Sequence, residues 1–149
     1  MLCEFTQVFK HAIEQPNTFV NILELPDRHG NTPLFIAIRM NNPAMLEMLI
    51  SYDCNLLHRR KNGNTCLHEC AVHSSVDCLT LLASYCGSDL FHIINKEGYR
   101  ALEIALNNTV GGSTDKGWTK NRASEITIAL QKIERNLMYQ NAVNDRNEQ

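Results

Sequence analysis

The chain has 149 residues, 44% hydrophobic and 20% charged, which fits one globular domain with a sizeable core. A formal net charge of -2 excludes a general polycation for nucleic acid or anionic lipid. No apolar run approaches the ~20 residues of a membrane-spanning helix.

The first segment, MLCEFTQVFKHAIEQ, mixes charges through its apolar positions and is not a secretory leader. Residues 4–15 read as an amphipathic helix ended by Pro16, and 17–25 as a short second helix. Residues 1–26 are therefore expected to form a degenerate repeat unit that caps the rest of the chain.

Next comes DRHGNTPL. Gly30 can take the positive φ of a tight turn, Thr32 suits a helix N-cap, and Pro33 suits the first helical position. Leu34, Ala37 and Ile38 then keep helical spacing. Asn42 and Pro43 start a second helix, with Met45, Leu46, Leu49 and Ile50 as its buried stripe. Shifting the chain by 33 residues lays Gly30, Asn31, Thr32 and Leu34 on Gly63, Asn64, Thr65 and Leu67. Leu46, Leu49 and Tyr52 then fall on Leu79, Leu82 and Tyr85. A third copy starts at NKEGYRALEIAL, where Gly98 lies 35 residues after Gly63. The two extra residues must be absorbed around Cys86 to His92.

The units are then 27–59, 60–94 and 95–140, the last carrying an inserted loop at 107–120 that holds Trp118. A helix over about 122–140 presents Ile126, Leu130, Ile133 and Leu137 on one face, expected to pack on the third copy. The polar tail 141–149 is expected to fray. Each helix pair is too small to cover its own apolar face and must stack on the next. The fold class is therefore an all-α repeat solenoid, expected to be monomeric. The six cysteines read as mostly buried free thiols of a reducing compartment, cytoplasmic and also nuclear.

The segments GNTPLFIA, GNTCLHEC and GYRALEIA resemble the ankyrin repeat family in period and in turn–helix–helix pattern. The third copy departs from it, with Arg100 and Ala101 in place of the Thr and Pro. The resemblance implies a non-enzymatic protein-binding scaffold whose turn tips and inner helices line a concave face. Carried over by register, that face comprises Arg28, His29, Asn31, Arg39 and Met40; then Lys61, Asn62, Asn64, Val72 and His73; then Lys96, Glu97, Tyr99, Asn107 and Asn108. Its mixed, mildly basic character suits a polar or acidic protein partner. Trp118 is a secondary anchor candidate, since Trp is enriched at interface hot spots. GNTPL followed by NGNTCLHECAVH looks like the IκB group, short viral members included, which masks Rel/NF-κB transcription factors. VDCLTLLA and NKEGYRALEIA also resemble the docking modules of Arf-GAP-type proteins.

The stretch NGNTCLHECAVH raises one chemical alternative. His68 and His73 are five residues apart, about 140° around a helix, so the H-E-x-x-H zinc arrangement fails. Cys66, Cys70 and His73 do share a face and form the one conceivable metal set. The repeat register instead gives Cys66 and Cys70 small, packed positions and makes His68 a local tie to Thr65. No cofactor is implied. Glu69 falls where the other copies carry Ile36 and Ile104, so it needs a partner, expected from Arg39 or Arg59.

Overall fold

The computed structural model describes residues 22–110 and 120–147. Its helices are α1 (Pro33–Arg39), α2 (Pro43–Ser51), α3 (Cys66–His73), α4 (Val76–Leu82), α5 (Ser88–Phe91), α6 (Ala101–Val110) and α7 (Lys120–Asn147). None of the described residues lies in a strand, and no described helix is long and apolar enough to cross a membrane.

The repeat register explains where helices start. Thr32 and Thr65 are extended residues that precede α1 and α3, and Pro33 occupies the first position of α1. Asn42 caps α2, its side-chain oxygen accepting the Met45 N–H at 3.0 Å. The inner and outer helices of the first two pairs are joined by a left-handed residue at the same register position, Asn41 (φ 46°) and then Ser74 (φ 51°). Short α5 occupies the place where the third copy must absorb its two extra residues.

The inner helices α1, α3 and α6 stack in order, and α4 packs on α2. Leu34, Ala37 and Ile38 of α1 meet the fully buried Cys66, Leu67, Cys70 and Ala71 of α3 in one continuous core. Helix α7 closes the stack against α6, α4, α3 and α5. It buries Ile126 and Leu130, with Ile133 and Leu137 half-buried beside them. The result is an all-α repeat solenoid.

Two boundaries differ from the sequence expectation. Residues 107–110 continue α6 and do not belong to a loop, and α7 begins at Lys120 and runs to Asn147 through most of the tail expected to fray. The polar composition of both stretches hid their helicity: Asn107, Asn108 and Thr109 are weak helix formers, but α6 is already nucleated by packed Ala101 and Ala105. The helices expected over 4–15 and most of 17–25, the loop core at 111–119 and Trp118 lie outside the described residues.

Candidate protein-binding face

Three turns stand at the tips of the repeats, and each is closed by the same backbone bond. Asp27 N–H donates to Asn31, Arg60 N–H to Asn64, and Asn95 N–H to Tyr99, each at 2.9 Å. Gly30, Gly63 and Gly98 sit in these turns with φ of 79°, 82° and 84°, a region that favours glycine. In the first turn the Asp27 carboxylate accepts the His29 and Asn31 N–H groups, both at 2.8 Å. Hydrogen bonds from Asn31 hold its carboxyl at about 2. In the third turn Asn95 does the same work for Glu97 and Tyr99, at 3.0 Å each. The second turn has Arg60 at that position, which cannot accept, and Asn62 substitutes by accepting the Asn64 N–H at 3.1 Å.

Displaced from turn support, Arg60 reaches Glu69. Its guanidinium donates to Glu69 Oε2 at 2.8 Å and lies 5.9 Å from the centre of the Phe35 ring. Glu69 is only 1% exposed. Its other oxygen accepts from Asn64 Nδ2 at 2.9 Å, and His73 Nε2 lies 3.4 Å from Oε2. Burial pushes the Glu69 carboxyl up, but His73, Asn64 and Arg60 together outweigh it and hold the group at about 2. The partner is thus Arg60, and the expectation of Arg39 or Arg59 is corrected. Arg59 instead donates to the Ile94 carbonyl at 2.6 Å, and Arg39 is exposed.

His68 is tied at both ring nitrogens. Nδ1 takes the Thr65 N–H at 3.2 Å and lies 2.8 Å from the Thr65 hydroxyl. That leaves the proton on Nε2, which donates to the Tyr99 carbonyl at 2.9 Å. The expected local tie therefore extends into the next repeat. Asn64 crosses the same boundary, its Oδ1 accepting from Asn95 Nδ2 at 3.0 Å. In the first repeat Phe35 stands where His68 stands. Thr32 Oγ1 is there the one buried side-chain polar atom among the described residues without a hydrogen-bond partner.

Of the face residues inferred by register, Arg28, His29, Arg39, Met40, Lys61, Asn62, Val72, Lys96, Glu97, Tyr99, Asn107 and Asn108 are exposed. Asn108 also donates to the Ala71 carbonyl at 3.3 Å. His73 is half-buried against Glu69. Asn31 and Asn64 do not lie on the open face: both are buried, the Asn31 amide donating to the surface carboxylate of Asp27 and the Asn64 amide turned inward to Glu69. Arg60 and Asn95 were missed. The signal was the register itself, which aligns them with Asp27, the residue that supports the first turn.

The conceivable metal set does not assemble. No three His, Cys, Asp or Glu side chains among the described residues are placed to hold an ion. Cys70 is fully buried, burial pushes its thiol well up, and His73 is directed to Glu69. The Cys66 thiol, beside Cys86 and likewise buried, is also pushed up and donates to the Leu56 carbonyl. Thiols held protonated in this way are poor ligands and poor nucleophiles.

Comparison with known proteins agrees with this architecture. Two family models, both described as ankyrin repeat, match the chain, one at residues 29–58 and the other at residues 62–96. The mouse B-cell lymphoma 3 protein homolog is 31% identical over 86 residues, 54% of this chain and 19% of that protein. A mouse protein fem-1 homolog A-like is 36% identical over 62 residues, 42% of this chain and 10% of that protein. A putative ankyrin repeat protein of Acanthamoeba polyphaga mimivirus is 25% identical over 88 residues, 59% of this chain and 11% of that protein. The chain therefore spans a fifth or less of the length of these curated relatives.

Proposed function

Residues 29–58 and 62–96 are ankyrin repeats, a protein-interaction module, and from that premise we propose that the chain is an IκB-like inhibitor that masks Rel/NF-κB-type transcription factors. Such a protein acts by occupancy: it covers a partner's surface and catalyses nothing. The observation that carries the reading is that each repeat exposes an apolar side chain, Met40 and Val72 at the ends of the inner helices and Tyr99 in the third turn, on units that also expose Arg39 and Lys61. Apolar side chains left exposed on consecutive units are available to a partner. The assignment to Rel/NF-κB rests on the likeness of GNTPL and NGNTCLHECAVH to the IκB group, supported by the similarity to the B-cell lymphoma 3 protein homolog. The five described cysteines, all free and buried, fit a reducing cytoplasmic or nuclear setting.

The test is direct. Purified Rel homology dimers on labelled κB-site DNA are titrated with the chain, and DNA release is followed by anisotropy. The reading expects wild type to bind the dimer and free the DNA, and a Met40→Ser, Val72→Ser, Tyr99→Ser variant to lose at least tenfold in affinity. Absence of binding at micromolar concentrations would remove the Rel assignment and leave a scaffold that docks another protein.

A further inference from the structure

Arg28, Lys61 and Lys96 occupy one register position, two residues before the turn glycines Gly30, Gly63 and Gly98. All three are exposed. The turns that carry them stack closely. The Lys61 side chain comes within 3.9 Å of where a Cβ on Gly30 would lie, and the Lys96 side chain within 3.2 Å of one on Gly63. The Lys96 N–H also donates to the Asn62 carbonyl at 3.0 Å. Each lysine stem thus lies on the glycine of the preceding turn, and the row climbs one repeat at a time.

These cations are available. Among the described residues, none of the three is within ion-pairing distance of a carboxylate. Arg28 donates to the neighbouring His29 ring at 3.2 Å. Of the nearby acids, Glu69 is buried on Arg60, while the Asp27 carboxylate, ionised and exposed next to Arg28, accepts from the Asn31 amide and the His29 N–H. Glu97 is exposed next to Lys96, so the row sets three cations against two neighbouring carboxylates, with no acid adjoining Lys61 in sequence.

Packed helix layers lie ~8–10 Å apart, so the cations of the row recur at about that interval. A polyproline II chain has three residues per turn and rises ~3.1 Å per residue. Side chains at every third position of such a chain point the same way, ~9 Å apart, one per repeat. We propose that the row Arg28–Lys61–Lys96 binds an acidic peptide segment in this extended form, with Asp or Glu at every third position. The extended form is favoured by the match between its ~9 Å every-third-residue spacing and the interval of the stacked turns, which are separated between the second and third by a cleft of about 300 Å³ lined by Arg59, Gly63, Ile94 and Lys96. Glu97 disfavours a nucleic acid, whose charge is continuous along the strand. The proposal rests on the reading of the chain as a protein-binding scaffold, though not on the Rel assignment.

The probe is a labelled proline–alanine peptide with three glutamates at every third position. Its control has the same residues with the three glutamates adjacent. Anisotropy titrations at low salt use the full chain and an R28S/K61S/K96S variant, whose changes are all on exposed side chains. Thermal melting checks that the variant folds, and the single Lys96→Ser serves if it does not. The spaced peptide should bind about tenfold more tightly than the clustered one, and the variant should lose that advantage, as expected for three exposed ion pairs acting together. Equal binding of the two peptides, undiminished binding by the variant, or stronger competition by oligothymidylate than by unlabelled spaced peptide would each overturn the row. Failure of the row is distinguishable from failure of the scaffold reading. The Met40→Ser, Val72→Ser, Tyr99→Ser variant should keep the spaced peptide while losing its protein partner.

Discussion

The Nε2–H of His68 donates to the Tyr99 carbonyl oxygen at 2.9 Å, joining the helix start of the second repeat to the turn of the third. The same ring is anchored by Thr65 at its other nitrogen. Desolvation lowers the His68 pKa from its ordinary 6.5, and the Tyr99 bond only partly opposes this. The unfolded chain therefore takes up a proton here before the folded one does, so stability is complete above pH 6.5 and declines as pH falls below it. Urea unfolding midpoints should drop between pH 7.5 and 5.5. In His68→Phe, which copies the first repeat, the protein should be less stable at pH 7.5 and that drop should shrink.

Glu69 adds a second, lower window. Its folded pKa of about 2 against an ordinary 4.5 means that its contribution holds above pH 4.5 and is lost as pH falls toward 2. Glu69→Leu leaves the Asn64 amide without its acceptor and Arg60 without its carboxylate. It should cost about 3 kcal/mol at neutral pH, the usual range for breaking one side of a buried pair. Denaturant titration checks it; a gain in stability would mean that the network is a tolerated misfit.

The two threonines at equivalent positions should answer differently to one substitution. Thr65→Val removes a hydroxyl that lies 2.8 Å from His68, and should cost about 1–2 kcal/mol. Thr32→Val removes a buried hydroxyl without a partner, and should be neutral or stabilising. Thermal melts of the two variants side by side decide it.

The turn glycines also separate. Alanine at Gly30 or Gly63 meets the same unfavourable positive φ, ~1–2 kcal/mol. At Gly63 the new Cβ would additionally lie 2.9 Å from the Lys96 backbone nitrogen, whereas at Gly30 the nearest atom, in the Lys61 side chain, is 3.9 Å away. Gly63→Ala should therefore lower the melting temperature more than Gly30→Ala.

Much of this architecture is legible in the sequence. The helix starts at Pro33, Pro43, Cys66 and Val76 follow from caps, prolines and the 33-residue shift. The local tie of His68 to Thr65 follows from the same register. What escaped was where amides and long cations turn. Asn31 and Asn64 look like surface residues in a polar turn, yet both are buried and each amide satisfies a carboxylate, Asn64 by turning inward to Glu69. Arg60 belongs by position to the turn, but its length carries it nine residues ahead to Glu69. Backbone periodicity predicts where a side chain starts, and only packing decides where it ends.

The two junctions of the stack are pinned at different edges. Between the first and second repeats, polar ties concentrate at the far ends of the inner helices. Ser75 Oγ donates to the Ile38 carbonyl, and Asn41 holds both Asp77 and the Cys78 N–H. Between the second and third they concentrate at the turns, through His68, Asn64 and the Lys96 N–H, with one further bond at the helix ends from Asn108 to the Ala71 carbonyl. Mechanically, these are two hinges with their pins on opposite sides. A bend that opens the turn edge therefore strains chiefly the second junction, and a bend that opens the helix-end edge strains chiefly the first, so each sense of curvature is resisted at a different place.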